Sequence, residues 1–264
     1  MTAETRILAC DIGNTHVCFG IYCGRSLEAA WRIRTDPKET EDELKAKILQ
    51  IISVNGVQRE AVGGAIVASV VPPLTDTMVQ CLESLFGIRV IVVGPGVKTG
   101  VAVLMDNPRE VGADRIVNAV AAATKYPGGS IVVDTGTATT FDCISPAAEY
   151  LGGAIAPGIA ISSEALFLRA AKLPKVEIAR PPSCIGKNTI ESMQSGIFFG
   201  YVGLVDGMIE RLKAELPFTP KVIATGGYAR FLGSESRRIE IIDEHLTLDG
   251  LAIIFEKNGP PPAR

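Results

Sequence analysis

Two segments of the sequence share one design, and they lie in different halves of the chain. Each is an apolar run that ends in Asp, followed two residues later by Gly and then by a hydroxyl or amide side chain. The first reads Ile-Leu-Ala-Cys-Asp-Ile-Gly-Asn-Thr at 7–15, and the second reads Ile-Val-Val-Asp-Thr-Gly-Thr-Ala-Thr-Thr-Phe at 131–141. Because Asp11 and Asp134 fall in different halves, each half is predicted to open with its own β-hairpin.

This design has the chemistry of phosphate binding. A strand that ends in Asp can hold a hydrated Mg²⁺, and the Gly lets the following turn bring backbone N–H groups close to an anion. Two such hairpins facing each other across a cleft would hold one nucleotide polyphosphate from both sides. The alternative is an ordinary turn, in which Asp bonds its own backbone and Gly supplies a positive φ. A single copy is compatible with both, whereas two copies, each entering another β-like run at 17–22 and 140–144, favour phosphate binding.

Composition argues against several other classes of protein. The chain has 264 residues, a net charge of −3 and no Lys/Arg-rich run, so nucleic acid is not expected as its main partner. No apolar stretch of about 18 residues is free of charges and turn formers, which gives no support for a membrane span, and we expect a cytoplasmic protein. The six cysteines form no Cys-x-x-Cys pair and the two histidines are isolated, so neither a zinc site nor a disulfide framework is expected.

The hydrophobic pattern alternates between strands and helices. Aromatic residues are only 6% of the chain, so Val, Ile, Leu and Ala must build the core, as is typical of an α/β protein with buried strands. Strands are predicted at 6–23 (a hairpin), 31–34, 64–71, 89–93, 131–144 (a hairpin), 149–155 and 221–225. Helices are predicted at 40–54, 75–86, 116–125, 160–171 and 188–215.

Further blocks, taken with the two hairpins, identify a family. They are Gly-Ala-Asp-Arg at 112–115, Tyr-Leu-Gly-Gly-Ala-Ile-Ala-Pro-Gly at 150–158, Asn-Thr-Ile-Glu-Ser-Met-Gln-Ser-Gly at 188–196 and Thr-Gly-Gly at 225–227. In this order and spacing, from about residue 6 to the segment 246–251, the sequence resembles the type III pantothenate kinases. The resemblance implies an α/β fold with two duplicated ribonuclease H-like domains, the architecture of the actin, sugar-kinase and Hsp70 ATPase superfold. Residues 1–124 would form the N-terminal subdomain, and 125–264 the C-terminal subdomain with the dimer helix.

The resemblance also implies an activity. ATP would phosphorylate the primary hydroxyl of pantothenate to give 4'-phosphopantothenate, the first step of coenzyme A biosynthesis, with Mg²⁺, a monovalent cation (K⁺ or ammonium) and a homodimer. Two alternatives stay open: a kinase of the same superfold with another small acceptor, and an ATP-binding regulatory accessory factor without turnover. ADP release that depends on pantothenate would separate them.

Asp114 is the expected general base, because phosphoryl transfer needs a group to take the proton of the attacking hydroxyl. The alternative is that Asp114 only caps a helix that begins near Arg115; the resemblance favours the base. It also implies a pantothenate site made of Gly112, Ala113, Asp114, Arg115, Thr189 and Met105, and a monovalent-cation ligand in Asp134. The ATP site would consist of Asp11, Ile12, Gly13, Asn14, Thr15, His16, Val17, Cys18, Thr137, Gly226 and Gly227.

Two features leave alternatives open. Many members of the family have Tyr where this chain has Met105, whose thioether can still pack against the gem-dimethyl group of pantothenate. The segment 188–215 is apolar around most of a helix, wider than one buried face requires. It is therefore either a fully buried central helix or a helix shared with a second subunit, and the resemblance favours the shared helix of a two-fold dimer.

Overall fold

Residues 6–259 are described by the computed structural model, and they form two β-sheets covered by helices. The elements follow one another as β1 (Arg6–Ile12), β2 (His16–Cys23), β3 (Ser26–Arg34), α1 (Glu41–Val54), β4 (Val62–Ser69), α2 (Pro72–Phe86), β5 (Val90–Val92), β6 (Ala102–Val103), α3 (Ala113–Lys125), β7 (Ser130–Thr135), β8 (Ala138–Ile144), β9 (Glu149–Pro157), α4 (Ile159–Arg169), α5 (Thr189–Glu215), β10 (Lys221–Thr225), α6 (Ala229–Gly233), β11 (Ile241–Ile242) and α7 (Leu246–Asn258). Across the described range, none of these helices has the length and apolar character that crossing a membrane requires.

The first sheet has the strand order β3-β2-β1-β4-β5. Strands β1, β2 and β3 are antiparallel neighbours, and β4 and β5 run parallel to β1. Because side chains alternate across a strand, Leu8 and Cys10 face the layer formed by α1 and α2, whereas Ala9 packs with α7. A Cβ on Gly250 of α7 would clash with the Val117 carbonyl of α3, so α7 and α3 are in close contact. Both faces of this sheet are therefore covered by helices.

The second sheet has the strand order β11-β10-β7-β8-β9-β6. Strands β7, β8 and β9 are antiparallel neighbours, and β10 runs parallel to β7, so the C-terminal ends of β7 and β10 meet at one edge. Helix α5 packs on Ile131, Val133 and Phe141. The buried side chains of α5 in this contact are Phe198, Tyr201, Val202, Val205 and Ile209.

Contacts divide the chain into two units. The first unit runs to Val101 and also holds Asp106–Ala121 and the chain from His245 onward; the second holds Ala102–Met105 and Ala122–Glu244. This differs from the predicted division into 1–124 and 125–264, because α7 packs on β1 and β4 of the first unit. The terminal residues 1–5 and 260–264 of those predicted domains lie outside the described residues.

Most predicted elements are confirmed to within two residues at their start, and three, namely β3, α2 and α3, begin three or more residues earlier than predicted. The predicted start of β3 at Trp31 was wrong, because the strand pairs with β2 from Ser26 onward. Pro72 and Pro73 begin α2 rather than close β4, since proline fits the first turn of a helix, where its missing N–H is not needed. Helix α3 begins at Ala113. Helix α7 was not predicted at all.

Candidate active site

The first hairpin closes with a tight turn. The Gly13 N–H donates to the His16 carbonyl at 3.0 Å. A Cβ on Gly13 would lie 3.1 Å from that carbonyl oxygen, so the turn favours glycine. Asn14, Thr15 and His16 are exposed at the tip. The tip therefore presents short polar side chains to a ligand.

The strands that flank this tip contribute mainly through their backbone. The side chains of Ile12 and Val17 are buried in the core. Asp11 lies one residue before the end of β1, directly opposite Cys18 in β2, and both are half-buried. Of the predicted ATP residues on these strands, Asp11 and Cys18 thus keep partly accessible side chains, and Ile12 and Val17 do not.

In the second hairpin, Asp134 lies against the loop that follows β10. Asp134 pairs in register with Thr225. The Thr135 hydroxyl donates to the Thr225 carbonyl at 2.9 Å and accepts the Tyr228 N–H at 3.2 Å, which holds that loop against the hairpin. Gly226 has φ +90°, and a Cβ there would lie 2.5 Å from Asp134 Oδ1. The structure thus brings Asp134 and Gly226 together, and only glycine allows this approach.

The tip of the second hairpin is held by residues that sequence reasoning did not assign to the site. The Gly158 N–H donates to the Thr137 carbonyl at 3.1 Å, and a Cβ on Gly158 would clash with that carbonyl. The Tyr201 hydroxyl donates to the Pro157 carbonyl at 2.7 Å and lies 2.6 Å from the Thr139 hydroxyl, which therefore donates to it. Burial raises the pKa of Tyr201 above its ordinary value. The Pro-Gly step before α4 was the available sequence signal for Gly158; Tyr201 gave none beyond its place in an apolar helix.

Asp114 lies inside the first turn of α3. The Gly112 carbonyl accepts the N–H groups of Arg115 and Ile116 at 3.1 and 3.2 Å, so Gly112 takes the position before the helix. The Asp114 carboxylate accepts the Arg115 N–H at 2.8 Å. A Cβ on Gly112 would lie 2.5 Å from Asp114 Oδ1, so glycine leaves room for this carboxylate. The helix starts one residue before Asp114, which therefore does not precede the helix as a cap does.

Burial is the main influence on the pKa of the Asp114 carboxyl. It raises the pKa of Asp114 above the ordinary carboxyl value, and the Arg115 N–H and the Arg115 charge offset only part of this rise. A carboxylate with a raised pKa holds a proton more strongly, which is the property that a general base needs.

The two remaining predicted substrate residues belong to the second unit, whereas Gly112–Arg115 belong to the first. Thr189 is the first residue of α5, which Asn188 caps by accepting the Glu191 N–H at 2.9 Å. Thr189 also lines an apolar groove of about 690 Å³ between α4 and α5. Met105 packs against Gly152 of β9, where a Cβ would lie 3.2 Å from the Met105 sulfur.

The donor set around Asp134 fits hard cations. Among residues 6–259 no group of three or more His, Cys, Asp or Glu side chains is placed to hold a metal ion. Mg²⁺ is usually bound by only one or two carboxylates together with substrate phosphates. One half-buried carboxylate beside the Gly226 backbone therefore fits a cation that is held jointly with a phosphate.

Comparisons with known proteins are consistent with the motifs. The sequence model of the family described as type III pantothenate kinase matches residues 7–211. The type III pantothenate kinase of Anaeromyxobacter sp. (strain Fw109-5) is 54% identical over 252 residues, which cover 96% of this chain and 99% of that protein. The one from Myxococcus xanthus (strain DK1622) is 52% identical over 252 residues, covering 96% and 98%.

Solved structures show the same fold at low identity. A ROK family glucokinase from Streptomyces griseus has a TM-score of 0.55 at 12% identity, covering 96% of this chain and 99% of that chain. A conserved Baf family protein from Campylobacter jejuni has a TM-score of 0.59 at 21% identity, covering 95% and 98%. The likeness to a sugar kinase confirms the predicted actin-like α/β fold.

Proposed function

The chain belongs to the type III pantothenate kinase family, and from this we infer that it phosphorylates pantothenate with ATP, the first step of coenzyme A biosynthesis. It is a phosphotransferase with an alcohol group as acceptor. The observation that carries the mechanism is the Asp114 carboxylate, half-buried in the first turn of α3 next to Gly112.

We propose that Asp114 takes the proton of the pantothenate hydroxyl as its oxygen attacks the γ-phosphorus of ATP. Burial raises the pKa of this carboxyl, so its conjugate base accepts the proton more readily than an exposed Asp would. The Arg115 guanidinium offers planar donors to the pantothenate carboxylate or to a phosphate. Gly112 and Ala113 let the pantothenate chain approach the protein closely. Thr189 and Met105 contribute a hydroxyl and a thioether to the binding of pantothenate.

The two hairpins are proposed to bind the ATP phosphates. In the first, the exposed tip of Asn14, Thr15 and His16 offers donors to phosphate oxygens. In the second, Thr137 lies on a tip that Gly158 holds in place. The loop at Gly226 and Gly227 is proposed to take the adenosine, because glycine backbone leaves a flat surface for the purine.

Asp134 is proposed to hold a monovalent cation, K⁺ or ammonium, and Asp11 to face the Mg²⁺ of the bound nucleotide. Both cations neutralise phosphate charge when they are bound. The protein supplies these two carboxylates at fixed positions. The pairing of β7 with β10 fixes Asp134 opposite Thr225, and the pairing of β1 with β2 fixes Asp11 opposite Cys18.

We propose that a second copy of the chain packs on α5. Gly196, Gly200, Gly203 and Gly207 form an exposed stripe along α5, and a Cβ on any of them would meet no described atom within 4 Å apart from its chain neighbours and the adjoining backbone of α5 itself. Glycine inside a helix costs about 1 kcal/mol relative to alanine, and the packing of α5 on its own sheet does not require it here. A stripe without side chains lets the same helix of a two-fold partner approach closely.

Exposed apolar side chains on α4 and α5 support the same interface. Leu166 and Leu168 of α4 and Ile190 of α5 are exposed, and the apolar groove of about 690 Å³ lies between these helices. A face of this composition is typical of a protein–protein contact. The face of α5 opposite the sheet is open, so α5 is not a helix buried on all sides by the described residues.

The acceptor is tested directly with a panel. Purified protein is incubated with Mg²⁺-ATP and, separately, with pantothenate, glucose, acetate or inorganic polyphosphate, and the products are identified by mass spectrometry. We expect one phosphoryl group on pantothenate and unmodified forms of the other acceptors. Phosphorylation of another acceptor in preference to pantothenate would overturn the proposed function.

A further inference from the structure

Thr35 holds the tip of the first hairpin from a neighbouring strand. The register of β3 places Arg34 opposite His16, so the chain leaves β3 directly beside the tip. The Thr35 hydroxyl donates to the Gly13 carbonyl at 2.6 Å. The Thr35 N–H donates to the Thr15 carbonyl at 3.0 Å. One residue thus binds two carbonyl groups of the tip.

These two bonds fix the direction of two N–H groups. In a planar trans peptide the C=O and the following N–H point in opposite directions. The Gly13 carbonyl points toward Thr35, so the Asn14 N–H of the same peptide points away from Thr35. The Thr15 carbonyl also points toward Thr35, so the His16 N–H points away from Thr35 as well. Backbone N–H groups that face the same side of a turn are donors from which an anion can accept hydrogen bonds.

The backbone that follows Thr35 is itself anchored. The Glu39 N–H donates to the Asp36 carbonyl at 3.1 Å, which closes a turn. The Glu39 carboxylate is buried and forms an ion pair with Lys47 of α1. Thr35 therefore lies between an ordered strand and a fixed turn, so its hydroxyl is held at a defined position.

We propose that Thr35 is a positioning residue for phosphoryl transfer: its hydroxyl orients the first hairpin so that backbone N–H groups face the ATP phosphates. The inference rests on the proposed role of this hairpin in ATP binding. Pairing of β3 with β2 needs only the Thr35 backbone N–H. The hydroxyl makes an additional hydrogen bond, and a substitution can remove the hydroxyl without disrupting the pairing of β3 with β2.

The test compares Thr35→Val, which removes the hydroxyl but keeps the shape, with Thr35→Ser, which keeps the hydroxyl. A matched control is Thr247→Val in α7, which removes a half-buried hydroxyl that donates to Asn118 Oδ1 at 2.7 Å. For each full-length variant we measure the Kd for ATP by calorimetry, the inhibition constant of adenosine, and the KM for ATP and for pantothenate. Thermal unfolding is recorded alongside.

The bond is present with and without ATP, so its loss weakens ATP binding only because bound ATP must then restore the orientation of the tip, at a cost that corresponds to about fivefold in Kd for one net hydrogen bond. Thr35→Val is expected to raise the Kd and KM for ATP about fivefold or more, with the adenosine constant and the KM for pantothenate unchanged, because only phosphate contacts are affected. Thr35→Ser should restore ATP affinity, and Thr247→Val should leave it at the wild-type value. If Thr35→Val folds poorly, Thr35→Ala makes the same comparison with less crowding.

The inference is overturned if Thr35→Val binds ATP as the wild type does, or if it weakens adenosine and ATP equally. It is also overturned if Thr35→Ser behaves like Thr35→Val. Failure of the proposed function gives a different result, namely a wild-type protein that releases no ADP with pantothenate. Because ATP affinity is measured without pantothenate, the two outcomes are independent.

Discussion

Replacing Asp114 by Asn tests the proposed base and its environment together. Asn has nearly the same shape, and its Oδ1 can still accept the Arg115 N–H that Asp114 accepts at 2.8 Å. The substitution therefore removes the ability to take a proton while it retains the local geometry. General-base catalysis contributes about 10²–10⁴-fold, so kcat is expected to fall at least about 100-fold, or roughly 3 kcal/mol in the barrier.

The same variant should alter stability in a direction set by burial. Burial raises the pKa of folded Asp114 above its unfolded value, so the folded state binds more protons in the pH window just above the ordinary carboxyl pKa. The contribution of Asp114 to stability is therefore fully present below the unfolded pKa and is lost as pH rises through the folded pKa. At neutral pH the wild type holds a buried charge that Asn lacks. Asp114→Asn should then be at least as stable as the wild type at neutral pH, and this advantage should disappear in acid.

The assay is steady-state ADP release with saturating ATP and pantothenate, combined with thermal unfolding over a pH series. Asp42→Asn, an exposed first-turn carboxylate of α1, serves as the control and should change neither quantity appreciably. A kcat within tenfold of the wild type would refute Asp114 as the base. A variant that is less stable at neutral pH and gains stability in acid would refute the account of its pKa.

Three further predictions concern the cation, the second hairpin and the dimer. Asp134→Ala should abolish the rise of activity when KCl replaces NaCl, as measured by titrating each salt; an unchanged response would contradict the cation site. Gly226→Ala should cost about 2 kcal/mol or more of unfolding free energy in denaturant titration, because its Cβ would lie 2.5 Å from Asp134 Oδ1. Gly227→Ala, whose Cβ would meet no described atom within 4 Å, should cost little stability. Gly200→Leu should halve the mass seen by light scattering while Gly200→Ala changes it less, and a wild-type monomer would exclude the shared helix.

The hairpins and the sheet strands were predictable from sequence because their signals are local. An apolar run followed by Asp-x-Gly specifies a strand and its turn, and β10 was predicted at its observed bounds. Helix α1 was predicted at 40–54 from its amphipathic pattern, and in the structure it begins at Glu41, after a capping box between Thr40 and Glu43 that the prediction did not use.

Long-range contacts were not predictable in the same way. The contact of Gly226 with Asp134 depends on the parallel pairing of β10 with β7, which no local pattern specifies. The bonds of Thr35 to the first hairpin depend on the register of β3. The packing of α7 on the first sheet likewise depends on the path of the chain, which no local pattern specifies. Local signals therefore located the candidate site residues, whereas the residues that hold them in place required the structure.

A pantothenate kinase couples ATP cleavage to phosphorylation of pantothenate, and we expect this coupling in the present chain. The most direct measurement follows ADP and 4'-phosphopantothenate together, in one reaction with Mg²⁺ and K⁺, with and without pantothenate. We predict one ADP formed for each phosphopantothenate, and no ADP above background when pantothenate is omitted. ADP release that is independent of pantothenate, or ATP binding with no turnover in its presence, would contradict the account.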